Sequence, residues 1–158
     1  MSSKEENLRD ALQQAFPGKL TVHIQRHRRV WVTLAREDLI RLATHLRKKM
    51  GFEHISLISG ADAGEAGILL VYHFFNKGVM LNLKVYVPKI DPMVDTITGL
   101  FPGATLYERE FMEMLGVVPT GHPNPARLLL PEVWPGGNPM LKDWKPPEVW
   151  PDGGEKDG

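Results

Sequence analysis

The sequence predicts an α+β domain with a mixed, largely antiparallel sheet, helices packed on one side of it, and an extended proline-rich C-terminal tail. Three observations lead to this fold class. The first 118 residues contain both amphipathic helix patterns and alternating strand patterns. Asn76-Lys77-Gly78 predicts a tight hairpin between two of the strands. Nine of the 13 prolines lie between Pro119 and Pro151, where they exclude long regular elements.

The first part of the chain reads as a helix, two strands and a second helix. Residues 3–6 form a capping-box pattern, and the helix that they open stops at Pro17-Gly18. Apolar and polar residues then alternate over residues 20–24 and 30–34, which predicts two strands. Residues 37–50 place leucines at helical spacing, with basic residues in the last turn and a glycine beyond them. This pattern predicts the second helix.

Strands and shorter helices are predicted in the next part of the chain. Strand patterns occur at residues 54–59, 68–75 and 79–87. Asp91, followed by a proline, has the form of an N-cap and predicts a short helix that ends near Gly99. A second capping-box pattern, from Thr105 to Glu108, predicts a helix over residues 106–115.

The proline-rich region sets a boundary between an α+β domain, residues 1–118, and an extended docking tail, residues 119–158. The tail holds three of the four tryptophans and carries one five-residue string twice, at residues 131–135 and 147–151. Because a tail without hydrophobic periodicity cannot build its own core, its apolar side chains must lie on the domain or on another protein. We favour another protein.

The composition excludes several classes of function. The absence of cysteine excludes disulfides, thiolate nucleophiles and Cys-ligated zinc or iron–sulfur clusters in this chain. With 19 basic and 19 acidic side chains, no overall field attracts nucleic acid or an anionic membrane. The most apolar stretch, residues 68–75, is far shorter than the roughly 20 residues that cross a bilayer. The polar first residues do not resemble a signal peptide, so we expect a cytoplasmic, water-soluble chain.

Three glutamates are candidates for acid–base chemistry. Glu108, Glu110 and Glu113 have no His, Ser or Lys placed beside them in sequence to complete a catalytic site. We therefore favour helix capping, pairing with Arg109 or solvent exposure, with charged contacts to a partner as the alternative.

Other candidates for chemistry are weaker. The six histidines show no metal-ligand spacing, and the two in strand patterns, His23 and His73, are expected to be hydrogen-bonded structural residues. Residues 60–67 are rich in glycine but lead into a strand, so we interpret them as an inter-strand turn and not a phosphate loop. The basic run at residues 26–29, beside Trp31, could bind nucleic acid, but a solvated turn or salt-bridge partner is the favoured interpretation.

A longer motif begins in the last predicted helix. It consists of Tyr107-Glu108-Arg109-Glu110-Phe111-Met112-Glu113-Met114-Leu115-Gly116-Val117, then Gly121-His122-Pro123, Arg127-Leu128-Leu129 and Asn138-Pro139-Met140-Leu141-Lys142-Asp143-Trp144. This combination closely resembles the signature of the 30-kDa subunit family of respiratory complex I and related membrane-bound, energy-converting nickel–iron hydrogenases. The resemblance spans roughly residues 4 to 145. Ala126 stands where the family usually carries a basic residue, and residues 130–137 are more similar to the hydrogenase branch.

The resemblance implies a non-catalytic structural subunit in the peripheral electron-transfer arm of an ion-translocating oxidoreductase. Its partners would be the large catalytic, hydrogenase-like subunit and small iron–sulfur subunits. No cofactor or metal is expected in this chain, since iron–sulfur clusters and nickel–iron or quinone would belong to the partners. The implied place is the cytoplasmic face of the membrane, which the chain would contact only through the complex. Nucleic acid is not an expected partner.

The site implied by the resemblance is a partner interface. The residues expected there are Glu108, Arg109, Glu110, Glu113, Gly121, His122, Pro123, Arg127, Trp134, Lys142, Asp143 and Trp144. Tail tryptophans would supply most of the affinity, and the charges would mainly fix the register. The alternative function is a stand-alone small redox enzyme or ligand-binding domain with a pocket between sheet and tail.

Overall fold

A computed structural model describes residues 2–151 of the chain. The helices and strands are, in chain order, α1 (Lys4–Ala15), β1 (Leu20–Arg26), β2 (Arg29–Leu34), α2 (Leu39–Lys49), β3 (Ile55–Asp62), β4 (Ile68–Asn76), β5 (Val79–Val87), β6 (Met93–Asp95), α3 (Ala104–Leu115) and β7 (Val118–Thr120). Single turns of 3₁₀ helix at Arg36–Asp38 and Gly64–Ala66 precede α2 and β4. No helix within residues 2–151 has the length and apolar character needed to span a membrane.

Five strands form the main sheet, in the spatial order β1-β2-β5-β4-β3. The pairs β1–β2, β3–β4 and β4–β5 are antiparallel, and only β2 and β5 run parallel. The sheet is therefore mixed and largely antiparallel, which confirms the predicted fold class. A second, two-stranded sheet joins β6 and β7 in parallel.

All three α-helices cover the same face of the main sheet. Alternate residues of β5, from Val79 to Val87, are at most 4% exposed and point to this face. Leu12 of α1, Leu46 of α2 and Phe111 of α3 belong to the same buried cluster as these strand residues. The period-2 pattern of the strands and the helical pattern of α1 to α3 thus meet in one hydrophobic core.

The opposite face of the sheet carries a row of polar side chains across three strands. Asn82 donates from Nδ2 to the Val30 carbonyl at 3.2 Å, so its Oδ1 accepts from His73 Nδ1 at 2.7 Å. His73 Nε2 lies 3.0 Å from the Ser59 hydroxyl. The predicted structural role of His73 is confirmed, whereas His23 is exposed on β1 and has no hydrogen bond of this kind within residues 2–151.

The prediction of a helix from Asp91 to Gly99 is wrong. Residues 93–95 form the short strand β6, and its partner β7 occupies residues 118–120, where no regular element was predicted. Asp91 does not cap a helix because its carboxylate pairs with the Arg36 guanidinium at 2.6 Å. Arg36 also donates to the carbonyls of Asp91 and Met93, which holds this segment extended.

The predicted start of α3 and the end of β3 also need correction. The helix begins at Ala104, and the Thr105 hydroxyl donates to the Pro102 carbonyl instead of forming a capping box with Glu108. Strand β3 continues through Gly60 to Asp62, so only residues 63–67 turn the chain. A Cβ atom at Gly60 would lie 2.5 Å from Leu115 Cδ1, and this close approach of α3 explains the glycine within the strand.

Candidate functional site

Helix α3 fixes the backbone of the segment that follows it, residues 121–151, which we call the C-terminal segment. The Glu113 side chain is buried, and its carboxylate accepts three successive backbone N–H groups. These belong to Leu128, Leu129 and Leu130, at 3.1, 2.7 and 3.1 Å. One carboxylate therefore sets the path of three residues of the C-terminal segment.

The charge state of Glu113 follows from these contacts. Burial acts against the charged form, but the N–H groups of Leu129, Leu130 and Leu128 and the nearby Arg127 outweigh it. The pKa of Glu113 consequently lies below its usual value, and the carboxylate is ionised at neutral pH. Its hydrogen bonds are charge-assisted, which makes them stronger than those of a neutral acceptor.

Arg109 and Asn138 add further contacts between α3 and the C-terminal segment. Arg109 donates from Nε to the Ala126 carbonyl at 2.9 Å and from Nη2 to the Arg127 carbonyl at 2.8 Å. Asn138 Nδ2 donates to the Glu113 carbonyl at 2.9 Å. Because the last carbonyls of a helix have no partner within it, Asn138 also serves as a side-chain cap for α3.

The end of α3 requires a glycine. Gly116 has φ 75°, the left-handed conformation that favours glycine at a helix C-terminus. A Cβ atom at this position would lie 2.6 Å from Asn138 Oδ1. Any larger residue would therefore displace the amide that caps the helix.

Glu108, on the buried side of α3, holds the chain between β6 and α3. Its side chain is 0% exposed and accepts from the Thr96 hydroxyl at 2.5 Å and from the Ile97 N–H at 2.9 Å. Burial is the largest influence and raises the pKa of Glu108, while these two donors and His122 act in the opposite direction. Glu108 is thus bonded within the chain and lies away from the surface.

His122 closes the turn that leads out of β7. Its Nδ1 accepts from the Asn124 N–H at 3.0 Å, so the ring proton resides on Nε2, which donates to the Thr105 carbonyl at 2.9 Å. Gly121 precedes it with φ 84°. The chain turns at Gly121-His122-Pro123, and the imidazole is inserted beneath α3, with its Nε2 3.9 Å from Glu108 Oε2.

Asp62 binds the far part of the C-terminal segment to the main sheet. Its Oδ2 accepts from the Lys142 N–H at 2.9 Å, and its Oδ1 contacts the Lys89 ammonium at 2.6 Å and the Gly64 N–H at 2.9 Å. The Lys89 ammonium, followed by the two N–H groups, holds the pKa of Asp62 well below its usual value. Lys142 joins the C-terminal segment to the main sheet through its backbone N–H.

Two of the tail tryptophans stack on each other. The rings of Trp134 and Trp144 are 5.5 Å apart with an interplanar angle of 9°, and Trp150 lies 5.8 Å from Trp134. Trp134 donates to the Gly137 carbonyl and Trp144 to the Gly136 carbonyl, both at 3.0 Å. These tryptophans are half-buried against their own segment, so they stiffen it.

The C-terminal segment exposes several large apolar side chains. Five large apolar side chains are between 39% and 69% exposed, namely Leu128, Leu129, Val133, Met140 and Val149. We call these five residues the apolar ridge. Backbone bonds to α3 fix the ridge at Leu128, Leu129 and Met140, while the ridge side chains have no partner among residues 2–151 that removes them from water.

The residues predicted at a partner interface are buried, half-buried or exposed. Glu108, Glu113 and His122 are buried, and their contacts lie within the chain. Glu110, Pro123, Arg127, Lys142 and Asp143 are exposed, whereas Arg109, Trp134 and Trp144 are half-buried. Contact of these residues with another protein stays a prediction, and for the buried three it would require α3 and its surroundings to open.

Sequence reasoning missed Asp62, Thr96 and Asn138, which complete this arrangement. Asp62 lies in a glycine-rich stretch that was interpreted as a turn, and the other two are single polar residues in irregular chain. For Asn138, the available signal was its place in the motif, where it opens the last part, four residues before Lys142.

A cleft lies between the main sheet and the C-terminal segment. It has a volume of about 280 Å³ and is lined by apolar residues together with Lys89, Asn138 and Asp143. Within residues 2–151, no group of three or more His, Asp or Glu side chains is arranged to hold a metal ion.

The sequence was compared with known families and proteins. The family model for the 30-kDa subunit of respiratory-chain NADH dehydrogenase matches residues 32–149, which include every helix and strand from α2 to β7 and most of the C-terminal segment. The chain belongs to this family. The resemblance found in the motif of α3 and the C-terminal segment is thereby confirmed.

Relatives within the family come from two kinds of enzyme complex. A subunit of the NADH-quinone oxidoreductase of Roseiflexus sp. (strain RS-1) is 35% identical over 150 residues, covering 87% of this chain and 80% of the relative. Membrane-bound hydrogenase subunit beta of Pyrococcus furiosus is 32% identical over 151 residues, covering 90% and 87%. Both branches of the predicted family are represented.

Solved structures share the fold. The trypsin-resistant fragment of Nqo5 superimposes with a TM-score of 0.63 at 28% identity, covering 76% of this chain and 97% of the fragment. A chain of the membrane-bound sulfane sulfur reductase, an archaeal respiratory membrane complex, gives a TM-score of 0.70 at 22% identity over 76% of this chain and 72% of that one. The second likeness concerns the fold alone.

Proposed function

We propose that the chain is a non-catalytic structural subunit in the peripheral electron-transfer arm of a complex I-related membrane-bound oxidoreductase. In this proposal the C-terminal segment docks on the large catalytic subunit of the complex. Family membership supports it, since the relatives are named as subunits of NADH-quinone oxidoreductase and of a membrane-bound hydrogenase.

The observation that carries the proposal is the contrast between the fixed backbone and the exposed side chains of the C-terminal segment. Glu113, Arg109 and Asn138 fix the backbone, while side chains of the apolar ridge on that backbone face outward, with Leu128 39% and Leu129 54% exposed. Exposed apolar surface concentrated in one segment marks protein interaction sites. A segment that is already ordered loses less conformational entropy on binding, which favours affinity.

The motif also exposes charged residues. Glu110, Arg127, Lys142 and Asp143 are exposed and carry both signs of charge. In the proposed complex these side chains form the polar rim that fixes the register on the partner. The exposed Leu, Val and Met residues, more than the half-buried tryptophans, supply the apolar area.

The redox chemistry of the proposed complex belongs to other subunits. Iron–sulfur clusters, and nickel–iron or quinone, would be held by the large catalytic subunit and by small iron–sulfur subunits. This chain would occupy the cytoplasmic face of the membrane and contact the bilayer only through the complex.

The test is an affinity purification of the tagged full chain from gently solubilised membranes, followed by mass spectrometry. We expect a large catalytic subunit and small iron–sulfur proteins to accompany the wild-type chain. Leu129→Asp, in the apolar ridge, should abolish this recovery because it places a charge in the buried centre of the interface. Ile90→Asp is the matched control, since Ile90 is 98% exposed outside the ridge and should leave recovery unchanged.

The alternative function rests on the cleft between the sheet and the C-terminal segment. Lys89 and Asp143 line it, so it offers a small polar binding site. Recovery of the wild-type chain alone, with redox turnover or nucleotide binding by the purified protein, would replace the docking proposal with this one. Equal loss of partners in Leu129→Asp and Ile90→Asp would also contradict docking through the ridge.

A further inference from the structure

The basic run at residues 26–29 meets a second basic turn in the fold. Because β2 and β5 are parallel, the turn before β2 and the turn before β5 lie at the same end of the main sheet. The Met80 N–H donates to the Arg28 carbonyl at 2.8 Å, which joins the two turns directly. Lys4, at the start of α1, donates to the Lys77 carbonyl at 3.1 Å and adds a third cationic side chain.

These cations are not neutralised by the chain itself. Within residues 2–151 no ion pair joins Arg26, Arg28, Arg29 or Lys77 to a carboxylate. Glu5 is nearby, but it is 4% exposed and its Oε1 accepts from the Arg28 N–H at 2.6 Å. Its charge is thus turned toward the backbone of the turn, and the outer surface at this end is positive.

A cleft opens beside two of these basic residues, Lys4 and Lys77. It measures about 320 Å³ and lies between α1, the chain after α2 and the turn between β4 and β5. Its apolar walls are Leu8, Met50, Phe52 and Val79, and its polar rim is Lys4, Asn7, Asn76 and Lys77. The lining contains two lysines and no carboxylate, which suits a ligand with both an apolar part and negative charge.

The backbone of the two turns supports a binding role. Arg28 has φ 62° and Lys77 has φ 49°, values that Asn or Gly adopts with less strain in such turns. Cationic side chains at both strained positions are not explained by the folding of the turns. Strained residues of this kind cluster at sites that clamp ligands.

We propose that this end of the sheet binds an acidic peptide segment of a partner protein, with an apolar side chain in the cleft. Carboxylates on either side of that anchor would pair with Lys4, Lys77 and Arg28. The cleft shares no residue with the C-terminal segment, so this second interface is independent of docking through the apolar ridge.

The contacts of the Trp31 ring favour a protein ligand over a nucleic acid. The Lys84 ammonium covers the Trp31 ring at 4.9 Å from its centroid, and the Trp31 Nε1 donates to Gln25 at 2.9 Å. The ring is therefore occupied and does not offer a free platform on which a base could stack. The walls of the cleft are mostly aliphatic, which fits an apolar side chain.

The test is an NMR titration of the ¹⁵N-labelled full chain with a synthetic peptide in which glutamates flank one phenylalanine. We expect saturable shifts confined to the cleft lining and the two turns, and weaker binding at higher salt. Lys77→Glu should weaken binding about tenfold. Lys19→Glu, an exposed lysine at the opposite end of β1, is the matched control and should leave the affinity unchanged. Asn7→Trp, at an exposed position of α1, should block the cleft and abolish the shifts without altering charge.

Three outcomes would overturn the proposal. The first is the absence of shifts in the cleft lining at millimolar peptide. The second is equal binding of a peptide with serine in place of phenylalanine, which would mean that charge alone is recognised and the cleft is not used. The third is tighter binding of a single-stranded oligothymidylate at the same turns, which would assign the surface to nucleic acid. Retention of the full spectrum in each variant shows that the fold is intact.

Discussion

The main sheet and the C-terminal segment are ordered by different interactions. In the sheet, alternate residues of β4 and β5 are apolar and buried, and the contacts among them are numerous and non-directional. In the C-terminal segment, the order comes from a few polar side chains, above all Glu113, Arg109 and Asn138, that bond to backbone groups. The first region tolerates changes that keep volume, whereas the second depends on single atoms.

The largest expected effect is a truncation in the sheet. Phe74 is 0% exposed and packs against Phe101 at 4.8 Å and Phe52 at 6.2 Å between ring centroids. Phe74→Ala should lower the free energy of unfolding by about 3–5 kcal/mol because it leaves a cavity and removes both aromatic contacts. Urea denaturation followed by circular dichroism measures this, and a loss below about 1 kcal/mol would mean that the core refills the space.

Removal of the Glu113 carboxylate should act locally. Glu113→Ala leaves three N–H groups without their acceptor, and since water can replace part of the loss we expect a cost of about 1–2 kcal/mol. Hydrogen exchange at Leu128 to Leu130 should accelerate while the strands keep their protection. Glu110→Ala, at an exposed position of the same helix, is the control and should change neither quantity. Slow exchange in Glu113→Ala would show that another contact orders the segment.

The contacts of Asp62 with the Lys89 ammonium and with the N–H groups of Lys142 and Gly64 should appear as a dependence of stability on acid pH. A carboxyl group with a depressed folded-state pKa stabilises the fold above its unfolded pKa of about 4 and loses this contribution as the pH falls. The stability of Asp62→Asn should therefore decline less steeply below about pH 4 than that of the wild type. Urea denaturation over a pH series compares the two.

The contribution of the Glu108 carboxyl group to stability depends on pH in the opposite direction. Because burial raises its pKa, this contribution falls as the pH increases. Glu108 is present in both proteins, so its effect cancels in the difference between them. Parallel acid limbs for the wild type and Asp62→Asn would show that Asp62 titrates no differently in the folded and unfolded chain.

The smallest expected effect concerns the tryptophan stack. Trp134→Ala removes the partner of Trp144 at 5.5 Å and should cost about 1 kcal/mol within the C-terminal segment, with the sheet unaffected. Near-ultraviolet circular dichroism should lose the signal of the stacked pair while the far-ultraviolet spectrum is retained. A global loss of cooperativity in thermal unfolding would mean that the stack belongs to the core of the domain.

Periodicity allowed the ordered core to be predicted from the sequence. The patterns behind α1, α2 and strands β1, β2, β4 and β5 record which side chains face the core, and this information is local. The hairpin glycine, Gly78, has the expected positive φ of 84°. The prediction of a helix after Asp91 was wrong because the Asp91 carboxylate, which was expected to cap that helix, pairs with the distant Arg36.

The site was predicted only as far as its residue types allowed. The motif indicated that Glu108, Glu113 and His122 matter, but their partners are reached through the fold and not along the chain. Leu129 is 16 positions from Glu113, and Lys142 is 80 positions from Asp62. Because polar contacts at such separations leave no periodic signature, the structure was needed to show that the buried Glu113 orders the C-terminal segment.

The parallel pairing of β2 with β5 sets an order in which the molecule forms. Hairpin β1–β2 and the meander β3–β4–β5 use neighbouring stretches of chain, whereas Val30 must find Leu81 across α2 and two strands. Contacts that close long loops form late, because they carry the largest loss of chain entropy. Helix α3 rests on β3, and the apolar ridge rests on α3. The ridge therefore rests on a formed sheet and helix, so in the proposed complex a partner that bound the ridge would select folded chains.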